Sequence, residues 1–185
     1  MRLSTERLLL RPVTLADTDD LFRIYGDPAT QTFNPAGPMP DMAEARETMA
    51  QWVALWQSQG WSNFAVALAH QPQRIIGFGG LRPRTYGSLN INNLGYRFAT
   101  EAWGKGLATE FATRLIAFGF EDAGLDDISA LVRQNHQASQ RVLEKSGLCR
   151  VREIKDVKNA PPSFLYHISR EVWQNQRGQC AISPL

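Results

Sequence analysis

A glycine-spaced turn just past the middle of the chain is the segment best suited to chemistry. Trp103, Gly104, Lys105 and Gly106 lead straight into an amphipathic stretch that begins at Leu107. The first backbone N–H groups of a helix have no partner within the helix, and the helix dipole adds partial positive charge there. Because glycine lets such a backbone approach an anion closely, the spacing favours a phosphate-binding turn. The glycines alone are equally consistent with a tight structural turn.

Two familiar nucleotide-binding patterns fit this turn poorly. A P-loop needs Lys-Ser or Lys-Thr after its last glycine, and that pair is missing here. The dinucleotide fingerprint matches at Gly104 and Gly106, with Asp126 and Asp127 at the spacing of the ribose-binding acid, but Thr109 occupies the third glycine position. The turn also follows a predicted antiparallel meander, whereas the fingerprint belongs to the first strand of a parallel sheet.

Hydrophobic periodicity predicts the elements that hold this turn in place. Their order is β-α-α-β-β-β-α-β-α-β-β, which predicts an α/β sheet, antiparallel in its middle and locally parallel around the third helix. Strands are expected over residues 3–12, 62–69, 74–81, 89–99, 127–132, 148–157 and 163–170. Helices are expected over residues 14–26, 41–60, 107–118 and 136–146.

Composition restricts the class of protein. A length of 185 residues predicts one domain, over residues 1–173, followed by a polar tail over residues 174–185. A formal net charge of +2 gives no argument for nucleic-acid binding, and no apolar run is long enough to span a membrane. Charges interrupt the first apolar run, which is unlike a signal peptide, and neither the two cysteines nor the three histidines show metal-site spacing. We therefore expect a cytoplasmic protein without a metal.

The turn and the strand before it resemble the acetyl-CoA-binding segment of the GNAT superfamily of N-acetyltransferases. That segment has the pattern Gln/Arg-x-x-Gly-x-Gly/Ala, in which Gly106 and Ala108 fill the fourth and sixth places. Trp103 stands at the first place, as in the RimJ/RimL-like branch, which acetylates the N-termini of ribosomal proteins. Segments 5–12, 138–148 and 166–173 also resemble that branch, so the similarity spans about residues 3–173.

The resemblance implies a fold and a cofactor site. The fold would be a mixed, mostly antiparallel sheet of about seven strands, with helices on both faces and a splayed, V-shaped cleft between the fourth and fifth strands. Backbone N–H groups of the turn would hold the pyrophosphate, and the preceding strand would pair with the pantetheine arm and polarise the thioester carbonyl. The residues expected to contact acetyl-CoA are Tyr96, Arg97, Phe98, Trp103, Gly104, Lys105, Gly106, Leu107, Ala108 and Thr109.

A second wall of the site is implied around residues 135–139. Asn135 or His136 would contact the cofactor, and Asn135 also suits the N-cap of the following helix. Ser139 resembles the serine proposed in the family to protonate the departing thiolate, and it is equally consistent with an ordinary helical serine.

The acceptor is constrained by the need for a neutral amine. At pH 7 an α-amine is about one-tenth neutral, whereas a lysine amine is neutral at roughly one part in a few thousand. Glu101 is the nearest carboxylate and the candidate general base, or else a solvated loop residue. We therefore expect a protein N-terminal α-amine as acceptor, with a small amine (an amino acid, polyamine or aminoglycoside) or a non-catalytic acyl-CoA sensor as alternatives. A homodimer is possible, and neither nucleic acid nor membrane is an expected partner.

Overall fold

Eight strands form one sheet in a computed structural model that describes residues 1–181. The strands follow one another across the sheet in the order β1-β2-β3-β4-β5-β6-β8-β7. Their bounds are Leu3–Ser4 (β1), Leu8–Pro12 (β2), Asn63–Leu68 (β3), Gln71–Tyr86 (β4), Leu89–Phe98 (β5), Asp127–Arg133 (β6), Cys149–Ile154 (β7) and Ser163–Ser169 (β8).

Five α-helices accompany these strands within the described part of the chain. They are Thr18–Tyr25 (α1), Met42–Gln59 (α2), Leu107–Glu121 (α3), Gln137–Lys145 (α4) and Arg170–Ala181 (α5). The second helix begins and ends at the capping residues that the sequence indicates. The Asp41 carboxylate caps it by accepting from the Glu44 backbone N–H at 2.9 Å, and Gly60 ends it in the left-handed conformation at φ 79°. Among the described residues, no helix is both long and apolar enough to cross a membrane.

The predicted mixed sheet is confirmed, with one strand more than expected. Strands β1–β2, β2–β3, β3–β4, β6–β8 and β7–β8 pair antiparallel, and β5 pairs with β6 in parallel at Asn93 and Ser129. The single strand expected over residues 3–12 is instead a hairpin, in which Leu3 lies opposite Leu10. The chain reverses over residues 5–7 because these three polar residues interrupt the apolar run.

The described chain contains two compact units. The first comprises residues 1–82 and 95–111, and the second comprises residues 83–94 and the chain from 112 onwards. A buried cluster centred on Leu21, Met49, Trp52 and Phe78 forms the core of the first unit. In the second unit, β6 and β8 pair over their full lengths and bury alternate apolar side chains. The prediction of one domain over residues 1–173 stays a prediction.

The C-terminal region differs from the sequence expectation. The last strand ends at Ser169, and residues 170–181, assigned in part to a polar tail from 174, form α5. Trp173 anchors this helix with its ring 5.2 Å from that of Phe120, and Arg177 pairs with Glu121 at 2.5 Å. Most residues of α5 are polar, and Trp173 is the large apolar side chain that packs it against α3. A segment of this composition resembles a polar tail in the sequence. The rest of the predicted tail, residues 182–185, lies outside the described part.

Candidate functional site

The glycine turn has the conformation that glycine permits and that other residues resist. Gly104 and Gly106 have φ angles of 73° and 75°, in the left-handed region. An added Cβ at Gly104 would meet nothing within 4 Å, and at Gly106 it would meet only Arg7 Nη2, at 3.6 Å. The backbone of the turn is therefore open on its outer side. Directly behind it, the 15-residue helix α3 begins at Leu107, which is buried.

Two side chains of the turn hold it to the preceding residues. The Trp103 indole Nε1–H donates to the Phe98 carbonyl at 3.0 Å, and its ring is half exposed. The Lys105 ammonium donates to the Glu101 carbonyl at 2.9 Å. The Lys105 ammonium, on a residue expected to contact acetyl-CoA, is thus bound back onto the 3₁₀ turn Thr100–Ala102 that precedes it. In this arrangement Trp103 and Lys105 shape the turn.

Arg7 and Glu110 were not identified from the sequence, yet they brace the turn. Arg7 donates through Nε to Glu110 Oε2 at 2.7 Å and through Nη1 to the Lys105 carbonyl at 2.8 Å. Glu110 Oε1 also accepts from the Thr5 hydroxyl at 2.5 Å and from the Arg7 backbone N–H at 2.8 Å. The only signal in the sequence was an acidic residue in the first turn of a helix, which carries no information about a partner in the first hairpin.

Glu110 is a charged group in this arrangement. Partial burial acts to raise the pKa of its carboxyl, but the hydrogen bonds from Thr5 and Arg7, together with the Arg7 charge, outweigh burial, so the pKa is lowered. The carboxylate therefore keeps the Arg7 guanidinium in place beside Gly106. Arg7 Nη2 remains the part of that guanidinium closest to the open side of Gly106.

Strand β5 presents its side chains to two different faces. The rings of Tyr96 and Phe98 lie 6.1 and 5.8 Å from that of Phe111 in α3. Arg97, between them, alternates to the opposite face, where its Nη1 donates to the Thr30 carbonyl and its guanidinium lies 5.3 Å from the Tyr25 ring. Of the three predicted cofactor contacts on β5, Arg97 therefore has only its backbone available on the α3 side.

Glu101 is engaged in an ion pair. Its two carboxylate oxygens accept from Arg74 Nε at 3.0 Å and from Arg74 Nη2 at 2.7 Å. The hydrogen bond from Arg74 lowers the pKa of the Glu101 carboxyl, which makes the carboxylate a weaker base. This pairing argues against Glu101 as the general base, because a useful base has a pKa near the working pH.

The residues predicted for the second wall lie at the start of α4, in the second unit. The N-cap of α4 is His136, so the expectation that Asn135 caps this helix is wrong. The His136 N–H donates to the Arg133 carbonyl at 3.0 Å, which places Asn135 inside a four-residue turn, where it is exposed. Ser139 lies in the first turn of the helix and is partly buried, as is His136.

Comparison with known proteins identifies the relatives of this chain. The sequence profile of the family described as acetyltransferase (GNAT) domain matches residues 7–149. The "uncharacterized N-acetyltransferase p20" of Bacillus licheniformis is 30% identical over 157 residues, which cover 80% of this chain and 85% of that protein.

Two solved structures share the fold at low sequence identity. The ribosomal-protein-S5-alanine acetyltransferase of Vibrio fischeri has a TM-score of 0.74 and 18% identity, and covers 94% of this chain and 98% of its own. An aminoglycoside acetyltransferase, AAC(6')-Ib, in complex with coenzyme A and kanamycin has a TM-score of 0.73 and 16% identity, with coverages of 92% and 99%. At these identities the likeness shows the fold, and the two proteins have unrelated acceptors.

Proposed function

This chain belongs to the GNAT acetyltransferase domain family and is an acetyl-CoA-dependent acetyltransferase, and we propose that its acceptor is an α-amine, as at a protein N-terminus. The RimJ/RimL-like features of its sequence, Trp103 above all, support this acceptor. The fold does not determine the acceptor, because one fold serves many substrates; the side chains of the site do.

The glycine turn fits the pyrophosphate of acetyl-CoA. Two left-handed glycines leave the backbone open, the N-terminus of α3 supplies unpaired N–H groups, and Arg7 adds a cation beside Gly106. In the proposal, backbone N–H groups of residues 104–109 donate to the phosphate oxygens. The cation in this proposal is Arg7, because the Lys105 ammonium donates to the Glu101 carbonyl.

In the proposal, strand β5 binds the thioester of acetyl-CoA. When bound, acetyl-CoA supplies a thioester whose carbonyl carbon the amine attacks. A backbone N–H of residues 96–98 donates to the carbonyl oxygen and stabilises the negative charge that develops there. The packing of Tyr96 and Phe98 on Phe111 fixes this strand against α3. The role of Ser139 as proton donor to the departing sulfur stays a prediction from the resemblance.

The pairing of Glu101 with Arg74 is the observation that carries the choice of an α-amine. The carboxylate closest in sequence to the turn is a weakened base. An enzyme with a weak base is better matched to an amine whose pKa is near 8 than to one near 10.4, because about a tenth of the former is already neutral at pH 7.

The test is thiol release from acetyl-CoA in the presence of matched acceptors. One peptide has a free α-amine and no lysine, and its partner has an acetylated N-terminus and one lysine. We expect the first peptide to react at least tenfold faster at pH 7, measured as kcat/KM. Faster reaction of the lysine peptide would overturn the α-amine assignment. A free amino acid also presents an α-amine, and this second candidate acceptor is favoured by a cluster of aromatic and arginine side chains around Trp52 and Arg97.

A further inference from the structure

Three aromatic rings and two guanidinium groups form a cluster in the first unit. The rings of Tyr25, Trp52 and Phe78 lie 5.9 to 6.4 Å from one another. The Arg82 guanidinium lies 5.4 Å from the Trp52 ring, and the Arg97 guanidinium lies 5.3 Å from the Tyr25 ring. Here these five residues are called the aromatic–arginine cluster. Two cations held against aromatic faces give the cluster a positive character.

Two buried donors in the cluster have no acceptor. Trp52 is 2% exposed, and its indole Nε1–H makes no hydrogen bond among the described residues. The Nε–H of Arg97 is equally buried and equally without an acceptor, although Nη1 of the same guanidinium is held by the Thr30 carbonyl. Buried N–H groups in folded proteins are nearly always paired. Because both orphan groups are donors, what each of them lacks is an acceptor, and in proteins and their ligands that acceptor is most often an oxygen.

The charge of Arg97 points to the kind of acceptor oxygen. Among the ion pairs of the described residues, Arg11 pairs with Asp17 and Arg23 pairs with Asp20, whereas Arg97 takes part in none. A planar guanidinium with a free N–H matches a carboxylate better than it matches a neutral carbonyl. Burial also raises the pKa of the Tyr25 phenol, so its hydroxyl stays protonated beside Arg97 at physiological pH.

We propose that the aromatic–arginine cluster binds a carboxylate of the acceptor molecule. The assignment to the acceptor rests on the proposed function, in which the backbone of β5 serves the thioester. Arg97 lies in that same strand segment and projects to the face opposite Tyr96 and Phe98. A carboxylate held by Arg97 would thus lie one side chain away from the strand. Two sources supply this chemistry: the α-carboxylate of a free amino acid, and the side-chain carboxylate of an acidic N-terminal residue.

The same cluster disfavours polycationic acceptors. Aminoglycosides and polyamines carry several ammonium groups, and like charges repel most strongly where solvent is excluded. Arg82 and Arg97 are both partly buried. A site for a polycation would need carboxylates where this cluster places guanidinium groups.

The indole N–H of Trp52 is itself the reporter for the experiment. Its resonance in a ¹⁵N–¹H correlation spectrum of the full chain is identified by its loss in Trp52→Phe. The probes are a mixture of the twenty free α-amino acids, the matching mixture of amino-acid amides, a peptide with N-terminal Asp, the same peptide with N-terminal Asn, and kanamycin. We expect the free amino acids or the Asp peptide to shift this resonance at concentrations at least tenfold lower than the matching amide, which lacks the carboxylate, requires. Kanamycin should leave the resonance in place. Which of the two carboxylate probes acts identifies the source.

Variants complete the test. Arg97→Gln should abolish the shift, Arg97→Lys should weaken it, and Arg46→Gln, which removes an exposed guanidinium from α2, should preserve it. The spectrum of each variant also reports whether it is folded. Amides that act as well as the acids, no shift with either carboxylate probe, or an unchanged shift in folded Arg97→Gln would overturn the proposal. A shift without any thiol release from acetyl-CoA would instead remove the proposed function and leave the carboxylate site standing.

Discussion

Arg7 and Glu110 are 103 positions apart in the sequence, and Arg7 Nε lies 2.7 Å from Glu110 Oε2. This pair joins the first hairpin to the start of α3, and Arg7 extends it to the Lys105 carbonyl. A turn with two left-handed glycines has little side-chain packing of its own. The pair therefore supplies what the turn lacks, namely a fixed position and a neighbouring cation.

Removal of either partner should weaken acetyl-CoA binding. In Glu110→Gln the guanidinium loses its charged anchor, and in Arg7→Gln the turn loses both the cation and the brace. Because the pair is partly exposed, we expect a roughly five- to tenfold rise in the Kd for acetyl-CoA, measured by calorimetry. Arg2→Gln, which removes an exposed arginine from the same end of the chain, is the control. Equal Kd values for wild type and Arg7→Gln would show that Arg7 has no part in the site.

The Glu110 network should also produce a pH-dependent contribution to stability. The pKa of this carboxyl is lowered in the folded state, so the unfolded state binds more protons as the pH falls. The contribution is therefore present above the ordinary glutamate pKa of about 4.3 and is lost as the pH falls through the lowered folded value. The difference in free energy of unfolding between wild type and Glu110→Gln, from urea titrations, should be larger at pH 7 than at pH 3. A difference that grows on acidification would contradict the assignment.

A charged side chain in the turn should prevent cofactor binding. Gly106→Glu forces a left-handed conformation on a non-glycine residue and places a carboxylate where phosphates are proposed to lie. We expect no measurable acetyl-CoA binding by calorimetry from a protein that remains folded. Gly124→Glu is a matched control, because Gly124 has φ 68° and equally open surroundings. Similar losses in both variants would mean that strain, and not the phosphate site, explains the result.

The packing around Phe111 should leave no room for a side chain at position 79, so substitution of Gly79 should destabilise the fold. An added Cβ would lie 2.7 Å from the Gly95 carbonyl oxygen and 2.7 Å from Phe111 Cζ, closer than real contacts allow. Gly79→Ala should therefore cost about 1–3 kcal/mol of unfolding free energy, seen as a lower urea midpoint. Wild-type stability in this variant would show that β4, β5 and α3 leave room for a methyl group at position 79.

The pH dependence of turnover should follow the amine. If no strong base assists, kcat/KM for an α-amine acceptor should rise almost tenfold per pH unit below about pH 7, rise more slowly through the amine pKa near 8, and level off near pH 9, where the amine is mostly neutral. The measurement is thiol release over pH 6–9, with protein stability checked at each pH. A plateau that begins near pH 6 would reveal a base that deprotonates the amine, and Glu101 paired with Arg74 does not provide one.

Local patterns predicted much of the fold. The expected strand over residues 89–99 is β5 almost residue for residue, and Gly60 ends α2 as its glycine signal indicated. The bounds of elements with polar ends were predicted less well. β4 covers Gln71–Tyr86, longer than the expected 74–81, because its exposed ends have the composition of loops.

For the site, too, local features could be predicted from the sequence and long-range contacts could not. Gly104 and Gly106 were evident because a glycine pair before a helix is a local signal. The partners Arg7 and Glu110, the pairing of Glu101 with Arg74, and the direction of Arg97 were not, because each depends on which distant segments the sheet brings together. Long-range polar contacts leave no periodic trace in a sequence.

Thiol release from acetyl-CoA, with the acetylated position in the product located by mass spectrometry, is the most direct test of α-amine acetylation by this protein. Wild-type protein should consume acetyl-CoA only when a free α-amine is supplied, and the product should carry the acetyl group on that amine. Gly106→Glu should be inactive in the same assay. Acetylation found on lysine side chains in preference to α-amines would contradict the α-amine acceptor. Turnover unchanged by Gly106→Glu would contradict the binding of the cofactor phosphates at the glycine turn.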